Sequence, residues 1–414
     1  MSQTPTQLFK ELQQQYYKAW FRFHPEDAVE VGVTDYASEL RSYADDDIGA
    51  LIALNQKLVS ALDEMNFDDL AESARIDYRI LRGAVEIELH DLEERDWRFR
   101  NPADFVPLNA VYQLLVYPVK DVHHAIKHRL STFPEYLRGA KVLLSQSAEQ
   151  VVPVWLESAV SQCESGANFI RNLTRYPLIT QKFTNPARLQ PLCDDAAHAL
   201  EDFSRFLRAE IAPRAAGDFS CGEFRFNRLL NEKHFLQTSA QDVLALGEKI
   251  FKETQQALLE QTKAMQGDDD VEALLQKIQK QHPKREHLLD AYRQRMRDAF
   301  KWWAESGLVS IPERQALKVQ ETPEFMQHLI PFAAYLHPMP TDPEQHGTYF
   351  VTPVSDDAQL AEHNDFSIDL TCAHEAFPGH HLQFVTENQH HSSNHTRLVN
   401  ASASMYEGWA LYCE

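Results

Sequence analysis

Cysteine, glycine and strand-like alternation are scarce in this chain, and long apolar runs are missing. The five cysteines, Cys163, Cys193, Cys221, Cys372 and Cys413, are odd in number, widely scattered and form no CxxC pair, which argues against a disulfide framework and against a thiolate metal site. No stretch approaches the roughly 18 consecutive apolar residues of a membrane span, so no membrane partner is expected. The opening segment Met1 to Lys10 lacks the charged and apolar regions of a secretory signal, which points to a cytoplasmic protein. Positive charge is short as well. Forty Lys and Arg against 61 Asp and Glu leave a formal net charge of −21, which repels phosphate backbones and argues against nucleic acid as a partner. With 43% hydrophobic and 24% charged residues over 414 positions, the remainder is an ordinary globular chain, long enough to bury a core unaided.

Helical period dominates what is there. Residues 7 to 22 place Leu8, Leu12, Tyr16, Ala19 and Trp20 at spacings of three and four, one apolar stripe on an amphipathic helix. The same period recurs from Ile48 to Met65, Ser73 to Leu92, Val151 to Leu173, Ala196 to Ile211 and Thr238 to Met265, and the order Thr238-Ser-Ala-Gln241 reads as a capping box. The best strand candidate is Gly347-Thr-Tyr-Phe-Val-Thr-Pro353, five β-formers between a Gly and a Pro, the length of one short edge strand. No fixed-period repeat occurs. The expected fold is all-α, a large helical body over 1–340 with a small sheet near residue 350, packed as one domain with a segment over 341–414 that carries the chemistry.

That segment is marked by histidine. Nine of the 19 histidines lie between His337 and His395, about a seventh of the chain. Within it runs Thr371-Cys-Ala-His-Glu-Ala-Phe-Pro-Gly-His-His-Leu-Gln383, followed by Ser404-Met-Tyr-Glu-Gly-Trp-Ala-Leu-Tyr-Cys-Glu414. A zinc hydrolase needs three protein ligands, an open position for water and a carboxylate beside that water. The usual helical solution spaces two histidines four apart; here the next histidines after His374 are His380 and His381, at i+6 and i+7. On an unbroken helix His380 would point about 240° away from His374, and His381 would sit about 10.5 Å up the axis. Pro378, however, cannot bond the His374 carbonyl and clashes with it, while Gly379 can adopt whatever angles a repair needs. A two-residue bulge brings His380 back to His374, and these two are the ligand pair; His381 is held in reserve as ligand or substrate contact. Glu375 is then the general base and Glu407 the third ligand, with Glu414 on the same helix face able to orient a ligand histidine. Other residues take blander readings. Glu414 and His381 also fit simple solvated or packing roles. His124 and His128, an i, i+4 pair beside Lys127 and Arg129, read as an exposed basic face. His390, His391 and His395 read as loop decoration, and Tyr16, Tyr17, Trp20, Trp302 and Trp303 as core or groove lining.

The segment His374-Glu-Ala-Phe-Pro-Gly-His-His-Leu-Gln383, with Glu407-Gly-Trp-Ala-Leu-Tyr412 downstream, resembles the DUF885 family, grouped with the gluzincin-type metallopeptidases. Phe23-His-Pro-Glu-Asp-Ala28, Phe133-Pro-Glu-Tyr-Leu137, Ile211-Ala-Pro-Arg-Ala-Ala-Gly217 and Gly347-Thr-Tyr-Phe350 extend the resemblance over essentially the whole chain. It implies a mostly helical fold, zinc as cofactor at the histidine segment plus the later Glu, and hydrolysis of a peptide substrate. It also implies a chain that stops short, since such proteins continue past the Glu-Gly-Trp-Ala segment with groups that stabilise the oxyanion. In related peptidases an edge strand pairs with extended substrate, which would give Gly347 to Pro353, and Tyr349 within it, a substrate-binding role. The contrasting reading is an inactive helical binding protein with a structural or vestigial metal site.

Overall fold

The computed structural model describes residues 3–327, 329–391 and 394–414, without the side chain of His391. Met1, Ser2 and the His391 side chain lie outside the described residues. The longer helices are α1 (Pro5–Trp20), α2 (Asp45–Asp63), α3 (Glu72–Glu94), α4 (Leu108–Val116), α5 (Val122–Gln146), α6 (Pro153–Arg171), α7 (Gln190–Phe206), α8 (Ala240–Gln266) and α9 (Leu288–Ser306). Three strands follow, β1 (Ala316–Glu321), β2 (Ala333–Leu336) and β3 (His346–Val351), and then α10 (Asp365–Glu375), α11 (His380–His391) and α12 (Ala403–Cys413). The fold is all-α with one small sheet.

Local chemistry explains the helix starts. Thr4 and Gln7 form a reciprocal capping box on α1, with Pro5 at the first position where its missing N–H costs nothing. The box on α8 sits one residue later than the sequence suggested: Ser239 caps and Asp242 returns the bond, because the shorter carboxylate at the third position reaches the cap backbone. In α1 the buried stripe runs through Phe9, Tyr16, Tyr17 and Trp20, while Leu8 is exposed.

The core has three parts. One gathers α4 to α7 around Phe105, Phe133, Ala159 and Phe203; a second joins α1, α2 and α3 through Phe9, Leu51, Leu62 and Leu81. The third runs from Leu288 to Leu382 and packs α9 and the sheet against α10 and the start of α11. Two strands and a helix upstream of residue 340 therefore belong to the scaffold of the histidine segment. Trp303 packs on this third part, whereas Trp302 stands 57% exposed.

In the sheet the order is β1-β3-β2. β3 runs parallel to β1, pairing Ala316 with His346 through Glu321 with Val351, and antiparallel to β2, pairing Ala333 with Val351 through Leu336 with Thr348. The strand expected at an edge is therefore the central one. Its hydrogen-bonding sides are both taken, and its residues Tyr349, Phe350 and Val351 are buried, so it cannot pair with a substrate. The edge position next to the histidine segment belongs to β2.

Candidate metal centre

The expected helical bulge is a full interruption that keeps the two-residue insertion. α10 ends at Glu375 and α11 begins at His380. Between them the Phe377–Pro378 peptide is cis, and the Gly379 N–H bonds the Ala373 carbonyl at 3.0 Å, six residues back instead of four. Leu382 N–H repeats the six-residue step to Ala376 at 3.3 Å. Glycine is required at 379 because a Cβ there would lie 1.8 Å from the His374 carbonyl oxygen. Phe377 anchors the turn from below, buried against Phe300. Trp409 of α12 holds it from the side, its indole N–H donating to the Pro378 carbonyl at 2.9 Å. The aromatic residue of the Glu-Gly-Trp-Ala segment thus docks the helix that carries Glu407.

The result brings together three of the predicted groups and their neighbours. His374 and His380 lie with ring centroids 4.8 Å apart and planes perpendicular. One Glu407 oxygen, Oε2, stands 3.6 Å from Nε2 of each ring. Two donors each about 2.1 Å from a shared ion can be at most about 4.2 Å apart, so this spacing suits one cation. His374, Glu375 and His380 also offer ligand atoms within 4.8 Å of one another. The far nitrogen of His374, Nδ1, meets Glu414 Oε1 at 2.7 Å, fixing the ring so that the Nε2 lone pair is free toward Glu407. His380 Nδ1 and Gln383 Oε1 are buried without a hydrogen-bond partner. Two imidazoles, a carboxylate and a carboxylate-held histidine are a donor set that fits zinc or a similar divalent ion.

Electrostatics distinguish the two glutamates. Burial, reinforced by repulsion from Glu407 and only partly offset by His374, pushes the Glu375 carboxyl up to about 7. Glu407 is half exposed. Burial and the neighbouring His374 hold the His380 imidazole below its ordinary value, which favours the neutral ring with one nitrogen free to act as a lone-pair donor. These groups open into a cavity of ≈ 560 Å³ whose other walls include Ala334 and Tyr335 of β2, His337, Phe384, Tyr406, and Val31 from the other end of the chain.

Two expected substrate contacts are corrected. His381 is fully buried; Tyr335 Oη donates to its Nδ1 at 2.9 Å and Nε2 meets Gln315 Oε1 at 2.9 Å. Burial depresses it to about 3, so it is neutral, with both nitrogens engaged away from the cavity. It positions Tyr335 instead. Tyr349 is also fully buried, 5.7 Å from the ring of Tyr292 in the centre of the sheet, with its hydroxyl unpartnered. Tyr335 and His337 were not singled out from sequence; the four-residue β2 is too short and uniformly apolar to signal itself. His124 and His128 are exposed as expected, but Arg129 is wholly buried, donating to the Ala110 carbonyl and to Gln113.

The profile of the family described as "Bacterial protein of unknown function (DUF885)" matches residues 25–414. The chain belongs to this family. A comparison with curated proteins finds no match. Among solved structures the DUF885 chain is similar to one from Shewanella oneidensis described as "a putative lipoprotein of unknown function", with a TM-score of 0.72 at 18% identity over 98% of this chain and 76% of that one. At that identity the likeness concerns the fold. No helix among the described residues is long and apolar enough to cross a membrane.

Proposed function

We propose that this DUF885 protein is a zinc-dependent hydrolase that cleaves short peptides. The observation that carries the reading is the placement of one Glu407 oxygen 3.6 Å from Nε2 of both His374 and His380, beside a half-buried Glu375, in an open cavity. A zinc ion bound there would polarise a carbonyl and lower the pKa of water to about 7. His374, His380 and Glu407 would hold it, and Glu414 keeps the His374 tautomer by accepting from Nδ1. Glu375, pushed up to about 7, sits where a carboxylate can take a proton from water and return it to the leaving amine near neutral pH. Peptide is the substrate class favoured by β2, which pairs with β3 on one side only and whose Ala334 and Tyr335 line the cavity, so an extended main chain can lie along it.

Glu375→Gln tests this directly. Cleavage of a mixed short-peptide substrate should fall by at least about 10³-fold while metal content by elemental analysis stays near one per chain. Retained cleavage would remove Glu375 from the chemistry, and protein without metal at either position would end the proposal. We further read the protein as working in a reducing, cytoplasmic setting, since all five cysteines are free thiols; recovery in a membrane or secreted fraction would contradict this.

A further inference from the structure

A second cavity, of ≈ 550 Å³, lies between α3, the 97–104 segment and residues 219–235. It meets the histidine cavity at Val399, which lines both. In a chain of net charge −21 its lining is unusually cationic. Arg41, Arg95, Arg100 and Lys233 all face it, and none has a carboxylate within ion-pair distance. Arg95 and Arg100 spend one donor each on the carbonyls of Ser220 and Asp218. Arg41 lies over the Trp97 ring, 4.5 Å from its centroid.

The carboxylates of the same wall are already engaged. Asp91 is gripped by both arms of Arg225, Glu232 by Arg228, and Glu88 by His24, Asn55 and Trp20. Asp104 is the fourth, an exposed carboxylate close enough to Arg41 to feel its charge. Arg95 and Arg100 are close enough that their repulsion adds to burial in lowering Arg100. Asp218 offsets part of this repulsion on Arg100, but no carboxylate forms an ion pair with Arg95 or Arg100 among the described residues, and a bound anion would relieve what remains. Trp155, Phe219 and Phe235 line the same cavity, with Phe219 68% exposed, an apolar surface suited to the body of an organic ligand.

We propose that this cavity binds an organic anion, a carboxylate or phosphate carried on an aromatic or apolar body, with Arg95, Arg100 and Lys233 holding the charged end. This site stands independently of the hydrolase reading, since none of its residues belongs to the histidine cluster. Calorimetric titration of the full chain in the presence of EDTA, with N-acetyl-L-phenylalanine, its amide and phenyl phosphate, tests it without involving a metal. At least one of the two anions should bind, with the amide weaker by about tenfold or more; whichever anion binds tighter identifies the head group. Arg100→Gln should weaken binding by about tenfold, and so should Lys233→Gln, a change at an exposed side chain. Equal binding of acid and amide, binding of neither anion, or unchanged affinity in both variants would overturn the proposal.

Discussion

Two histidine pairs in this molecule make opposite use of a helix. His124 and His128 stand four residues apart on the uninterrupted α5, the spacing that sequence rules favour for a shared ion, with ring centroids 5.7 Å apart. They face solvent, and His128 Nδ1 meets the Ser38 carbonyl at 3.0 Å. His374 and His380, six residues apart, are brought to 4.8 Å by a break in the helix and meet Glu375 and Glu407 on a cavity wall, with Glu414 bonded to the far side of His374. Spacing sets which side chains can be neighbours on a regular helix. A site also needs a carboxylate from elsewhere, and here Glu407 follows from the interruption, because it provides the carbonyl on which Trp409 docks α12.

The two pairs are told apart most directly at the imidazoles. His374→Ala and His380→Ala should each abolish stoichiometric zinc binding in a calorimetric titration, whereas His124→Ala and His128→Ala should leave it unchanged; loss in the second pair would move the site to α5. Next in size is the turn. Gly379→Ala forces a Cβ to within 1.8 Å of the His374 carbonyl and should cost about 3 kcal/mol or more in urea unfolding. Gly408→Ala, where a Cβ meets nothing within 4 Å, should change stability by about 1 kcal/mol or less and in the stabilising direction. Equal effects would show that the close approach at 379 is not needed.

Glu414→Ala removes the acceptor of His374 Nδ1 and should weaken zinc binding about 10- to 100-fold with little change in unfolding, a measurement that separates orientation from ligation. The smallest effect concerns a third histidine environment. His363 is buried beneath the Phe332 ring and accepts from Tyr292 Oη at 2.9 Å, and burial lowers it to about 4. A base held neutral in the fold gives stability that is complete above pH about 6.5 and is lost as pH falls toward 4. Between pH 6.5 and 5.5 this amounts to about 1 kcal/mol. His363→Gln should flatten that part of the stability curve, and an unchanged slope would assign it to other groups.

How much of this was legible in the sequence depended on whether the cause was local. The helices announced themselves because period and caps act over three or four residues, and the pairing of His374 with His380 could be read because Pro378 removes one identifiable hydrogen bond. Position in the sheet was not legible: β3 shows a run of β-formers, but its central place depends on β1 and β2, of which the first alternates poorly and the second has four residues. Arg129 looked like part of an exposed basic face because its acceptors, the Ala110 carbonyl and Gln113, lie on another helix. His381 looked like a site residue for the same reason. Its partners Tyr335 and Gln315 are 46 and 66 residues away, and they meet it only because Gly347 on β3 leaves room; a Cβ there would fall 2.7 Å from His381 Nδ1.

Val31 and Glu407 border one cavity although nearly the full length of the chain separates them. An excised 341–414 peptide, even if it bound metal, would therefore lack one side of its vessel. Damage to the first helices should be felt as a change in what the cavity admits, well before the chain as a whole comes apart.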